Sequence, residues 1–108
     1  MKLSYRKFGK GPTMIIVHGL YGSSDNWISI GKEFSKDFEV YIIDQRNHGN
    51  SPHSEEHNYE LMKNDLRLFM DDHHINKAIL LGHSMGGKVN MHFALEYPER
   101  LEGLIVVD

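Results

Sequence analysis

Short, wholly apolar runs alternate with longer amphipathic ones along this chain. Met14-Ile15-Ile16-Val17, Val40-Tyr41-Ile42-Ile43, Ala78-Ile79-Leu80-Leu81 and Leu104-Ile105-Val106-Val107 are too short for core helices. Continuous apolar character and β-branched content make them read as strands buried on both faces. Leu3 to Phe8 is more polar and suits an edge strand closed by Gly9 and Gly11. Three helical stretches lie between the strands. The first follows the cap signal Ser23-Ser24-Asp25 and sets Trp27, Ile30 and Phe34 on one face. The second, from about Tyr59 to Asp72, repeats Leu61, Met62, Asp65, Leu66, Phe69 and Met70 at helical spacing. The third opens at Ser84, turns Met85, Val89 and Phe93 toward the sheet, and stops before Pro98. The alternation predicts an α/β architecture, a mostly parallel sheet with flanking helices. With no repeat, linker or low-complexity tract, residues 1–108 are expected to form one βαβ series within a single domain.

Composition narrows the partners. The chain has 108 residues, 40% of them hydrophobic, enough for one modest core. A net charge of -3 with scattered Lys and Arg gives no basic field, which argues against nucleic acid. The absence of cysteine excludes a disulfide framework and a thiolate nucleophile. No run reaches the roughly 20 apolar residues of a membrane span, and the first residues lack a signal-peptide core. A cytoplasmic protein is expected.

The chemistry concentrates at Gly82-His83-Ser84-Met85-Gly86. An apolar strand runs into this Gly-x-Ser-x-Gly and an amphipathic helix leaves it, the context in which such a serine is a nucleophile. Turning a strand at once into a helix forces the serine into a strained conformation, and side chains two residues to either side would collide. Gly82 and Gly86 remove those collisions, and Gly87 lets the helix approach the sheet. The helix N-terminus supplies free N–H groups, so Met85 N–H is one candidate oxyanion donor. A phosphate-binding loop is the alternative, but neither glycine-rich phosphate signature is present. A purely structural turn is the other.

One N–H rarely suffices, because each preorganised donor contributes on the order of 3 kcal/mol to transition-state stabilisation. Sites of this kind take a second donor from the loop after an earlier strand. His18-Gly19-Leu20-Tyr21-Gly22 is that loop here, with Leu20 the first choice and Tyr21 the second. His18 is expected to fix the loop by hydrogen bonds rather than act as the base. The same glycines also fit a plain tight turn.

The motifs His18-Gly19-Leu20, Asp44-Gln45-Arg46-Asn47-His48-Gly49-Asn50-Ser51-Pro52-His53-Ser54, Gly82 to Lys88 and Leu104 to Asp108 occur in order. Together they resemble α/β-hydrolase serine esterases, in particular the branch with a small bacterial acyl-CoA esterase and a mitochondrial abhydrolase. The resemblance covers essentially the whole chain as the N-terminal half of that fold. It implies a carboxylesterase or acyl-CoA thioesterase with a Ser-Asp-His triad, a small-molecule ester or thioester substrate, and no cofactor. In this branch the acid follows the sixth strand, which the match maps to Asp108. The Asp44–Ser51 loop is then mainly architectural, with Asp44 and Arg46 able to pair and Pro52 stiffening the exit; an Asp44–His48 dyad is a weaker possibility.

The resemblance also implies a histidine downstream of the acid, and the eight histidines of this chain all precede Asp108. His83 adjoins the nucleophile but should point away, His92 lies two turns along the third helix, and His73 and His74 end the second helix on the opposite side of the sheet. Without its histidine a triad loses about a million-fold in turnover. The last strand would also be left as an apolar edge. The chain is therefore expected to be a fragment or one half of a split protein, inactive alone, with a complementary C-terminal segment supplying strands and the base. His53 and His57 with Glu55 and Glu56 between them could bind a metal, but no third ligand is implied and no metal site is assigned. Two other functions remain: a lyase or C–C hydrolase on the same scaffold, and a non-catalytic interaction module acting through the open sheet edge.

Overall fold

The computed structural model describes all of residues 1–108. Its strands are β1 (Tyr5–Phe8), β2 (Thr13–Val17), β3 (Glu39–Ile43), β4 (Ala78–His83) and β5 (Leu101–Val107). The helices are α1 (Ile28–Phe34), α2 (Tyr59–Asp72) and α3 (Met85–Glu96). They build one sheet in the order β1-β3-β2-β4-β5, with β1 antiparallel to β3 and every other pair parallel.

Side chains alternate between the faces of a strand, so each apolar run serves two cores. Met14, Ile16, Val40, Ile42 and Leu81 face one way, where Trp27 and Phe34 pack on them from the α1 side. Ile15, Val17, Tyr41, Ile43 and Leu80 face the other way, against Met62, Leu66 and Phe69 of α2 and Val89 and Phe93 of α3. Ile15, Ile16, Val17 and Leu80 are wholly buried, each contributing on the order of 1.5–3 kcal/mol.

The placement of α2 beside α3 corrects the expectation that His73 and His74 lie across the sheet. Both helices cover the same face, and His73 sits at the far end of α2 against Tyr5 and Phe69. Fourteen residues of helix, about 21 Å at 1.5 Å per residue, separate that end of α2 from its start.

The first helical stretch begins with a 3-10 turn, Ser24–Trp27, before α1. Ser23 and Asn26 form a reciprocal capping box, as the Ser-rich start suggested. Ile30 departs from the expected buried face and is 43% exposed. Gly31 takes the inward position, where a Cβ would stand 2.6 Å from Cδ1 of Ile42.

Sheet order decides where chemistry can occur. From β2 the chain crosses by α1 to β3 on one side; from β4 it crosses by α3 to β5 on the other. Beyond the carboxyl ends of β2 and β4 lies the crevice where such sheets bind ligands. β5 forms the opposite edge to β1, and Leu104, Ile105, Val106 and Val107 are each 39–46% exposed. No helix is long and apolar enough to cross a membrane.

Candidate active site

Ser84 stands between the end of β4 and the start of α3 with φ 53° and ψ -112°, a left-handed φ that non-glycine residues rarely adopt. Such strain persists only where the surroundings enforce it. Ser84 N–H donates to Val107 O at 2.9 Å, and Ser84 O accepts from Lys88 N–H at 3.1 Å. The flanking glycines are required as expected. A Cβ on Gly82 would come within 2.6 Å of Gly86 O, and one on Gly86 would overlap Val17 O. Gly87 faces Val106 Cγ1 at 2.9 Å from its would-be Cβ. The serine itself is exposed, and its hydroxyl has no hydrogen-bond partner in the chain.

Leu20 and Met85 flank it. Met85 opens α3, so its N–H has no intrahelical acceptor. Residues 19–22 form a tight turn closed by Gly22 N–H donating to Gly19 O at 3.0 Å. Leu20 N–H is free within this turn, whereas Tyr21 N–H donates to His48 Nε2 at 3.1 Å. Of the two donors considered for this loop, Leu20 is the one left available.

His18 does hold the loop. Gln45 N–H donates to its Nε2 at 3.0 Å, so the ring proton sits on Nδ1 and is donated to Gly19 O at 2.8 Å. That second bond orients the Gly19–Leu20 peptide and hence Leu20 N–H. The ring is wholly buried, and this desolvation pushes its pKa below the ordinary value. A neutral histidine with both nitrogens engaged is no base for Ser84.

Asp44 and Arg46 do not pair with each other. Arg46 turns to Asp65 of α2, donating through Nε at 2.7 Å and through Nη2 at 3.0 Å. This planar two-bond geometry suits a guanidinium and a carboxylate, and both groups are buried. Asp44 instead accepts from the N–H groups of Ser24 (2.7 Å) and Asn50 (3.2 Å). Gly49, at φ 51°, packs directly on its carboxylate. His48 bonds elsewhere, so no Asp44–His48 dyad forms.

A cavity of about 360 Å³ adjoins Ser84, lined by Leu20, Met62, Ser84, Met85 and Lys88 and, at and just before the start of α2, by His57, Asn58 and Tyr59. The motifs of the sequence do not single out this last group at the site; His57 is weighed there only as a possible metal ligand with His53. A crossover helix runs antiparallel to its strands, so residues opening α2 must return to the carboxyl edge of the sheet. That was the available signal. His57 is not poised as a base: Asn47 Oδ1 accepts from Ser54 N–H, which turns Asn47 Nδ2 toward His57 Nδ1 at 3.1 Å. His83 points away as expected, its ring tilted 5.7 Å from Trp27, and His92 stacks on Tyr59. Asp108 follows β5 directly, exposed and without a hydrogen-bond partner.

Residues 12–108 match the family model described as the alpha/beta hydrolase fold. The chain belongs to this family. An abhydrolase domain-containing protein of Schizosaccharomyces pombe is 45% identical over 114 residues, covering 100% of this chain and 42% of the relative. A zebrafish (Danio rerio) protein named sn-1-specific diacylglycerol lipase is 45% identical over 113 residues, covering 100% of the chain and 36% of the relative. A solved marine microorganism esterase superposes with a TM-score of 0.97 at 48% identity, over 98% of this chain and 41% of that one. The chain thus spans about two fifths of the length of these α/β-hydrolases and corresponds to the N-terminal half of their fold.

Proposed function

We propose that this chain supplies the nucleophile, the oxyanion hole and the acid of a serine hydrolase acting on carboxylic esters or thioesters. The observation that carries the reading is Ser84 itself, strained and solvent-facing, lining one cavity with Leu20 and Met85, whose N–H groups have no acceptor in the chain. Ser84 Oγ attacks the acyl carbon as its proton passes to a histidine. The Leu20 and Met85 N–H groups hold the resulting oxyanion. The C–O or C–S bond then breaks, the leaving group takes the proton from the histidine, and water releases the acyl group by the reverse sequence.

Asp108 is the residue proposed to orient that histidine, because parallel strands deliver β4 and β5 to the same edge and the Ser84–Val107 bond joins their ends. We place the histidine in sequence beyond Asp108, in a segment that also adds strands to the exposed edge of β5. The names of the zebrafish lipase and the marine esterase support an ester as substrate.

The test is turnover of p-nitrophenyl acetate and of an acetyl thioester by the full-length protein. Hydrolysis of at least one, abolished by Ser84→Ala, is expected. Equal turnover by the Ser84→Ala protein would overturn the reading.

A further inference from the structure

We infer that His48 is a positioning residue for the oxyanion hole, holding the Leu20–Tyr21 peptide through the hydrogen bond from Tyr21 N–H to its Nε2. The inference rests on the serine-hydrolase reading above and extends it to a residue away from the nucleophile.

Tyr21 adopts φ 61°, the left-handed value that the third residue of a type II turn requires and that glycine ordinarily supplies. Its side chain is 92% exposed, so packing does not compensate for that conformation. Besides the turn bond from Gly22 N–H to Gly19 O, Tyr21 is held by its own N–H, which donates to His48 Nε2 at 3.1 Å. His48 is itself fixed. Because Nε2 accepts, its proton lies on Nδ1 and is donated to Arg46 O at 2.8 Å, and the Arg46 side chain is clamped to Asp65 of α2.

Two buried imidazoles with centroids 5.1 Å apart therefore hold successive peptides of one turn. His18 fixes the Gly19–Leu20 plane through Gly19 O, and His48 fixes the Leu20–Tyr21 plane through Tyr21 N–H. Leu20 N–H, the free donor, lies between these restraints. If the second is lost, only the His18 and Gly22 bonds to Gly19 O restrain the turn, so Tyr21 can relax from its strained φ and the turn can tilt the Gly19–Leu20 peptide that carries Leu20 N–H. An oxyanion donor displaced by about 1 Å loses much of its value, since each donor is worth on the order of 10²–10³-fold in kcat when well placed.

Two amide substitutions separate the bonds of His48. Glutamine can present its Oε1 where Nε2 was, keeping the acceptor for Tyr21 N–H. Asparagine reaches only the Nδ1 position, keeping the bond to Arg46 O and losing the one to Tyr21. In the full-length protein with p-nitrophenyl acetate, His48→Asn should lower kcat about 10- to 100-fold with KM little changed, and His48→Gln should recover most of the loss. Denaturant unfolding of both variants tells activity from folding, because a purely structural role would make kcat follow stability in both. Wild-type kcat in His48→Asn, or an equal loss in the two variants, would overturn the inference while leaving the hydrolase reading intact. A wild-type protein that hydrolyses neither p-nitrophenyl acetate nor the acetyl thioester would overturn both.

Discussion

The backbone N–H of Ser84 donates to the carbonyl oxygen of Val107 at 2.9 Å, so the peptide of Ser84 closes the ladder between β4 and β5. Asp108 consequently leaves the sheet beside the elbow. Together with the His83–Val107 pairing, the bond brings the end of an exposed edge strand, and the Asp108 carboxylate after it, to the Ser84 edge of the sheet.

Asp108→Asn in the full-length protein should reduce kcat by up to about 10⁴-fold, the cost of misorienting a triad histidine. Far-ultraviolet circular dichroism should be unchanged, because Asp108 is exposed and makes no hydrogen bond. A steady-state kcat within tenfold of wild type would remove Asp108 from the triad.

Gly86 and Gly103 should respond very differently to alanine. A Cβ on Gly86 meets Val17 O and, at 2.6 Å, His18 O, both rigid backbone atoms at the end of β2. Gly86→Ala is expected to cost about 3 kcal/mol or more in denaturant unfolding. Gly103 meets nothing closer than Ile79 side-chain carbons at 3.8 Å, so Gly103→Ala should stay within about 0.5 kcal/mol.

Stability should fall in mildly acidic solution. Burial holds the His18 pKa below its ordinary value of 6.5, and His73, against the Tyr5, Tyr41 and Phe69 rings, is lowered mainly for the same reason. As pH drops below about 6.5 the unfolded chain takes up protons that the folded chain refuses, so unfolding becomes easier. Above that value this contribution to stability is fully present; it is lost progressively toward the lowered folded-state pKa. Unfolding free energies measured from pH 8 to pH 5 should show the decline, and His18→Gln should flatten it. A slope unchanged from wild type in both His18→Gln and His73→Gln would contradict the assignment.

The strands and the elbow were legible because their signals are local. Ile15, Ile16 and Val17 are buried on both faces, and Gly82, Ser84 and Gly86 carry a steric requirement that a strand-to-helix turn imposes within five residues. Partner choice was not local. Arg46 stands two residues from Asp44 yet pairs with Asp65, since Asp44 is taken up by the N–H groups of Ser24 and Asn50. The face covered by α2 follows from the crossover between β3 and β4, which no periodicity encodes, and with it went the place of His57 and Tyr59 in the cavity. Ile30 failed for a third reason: packing selected the small Gly31 for the close approach to Ile42.

Covalent labelling of the full-length protein with a fluorophosphonate, followed by peptide mapping, tests the nucleophile most directly. One probe molecule per protein should be found on Ser84, and labelling should vanish in Ser84→Ala. Labelling on another residue, or unchanged labelling of the Ser84→Ala protein, would contradict the assignment of Ser84 as the attacking group.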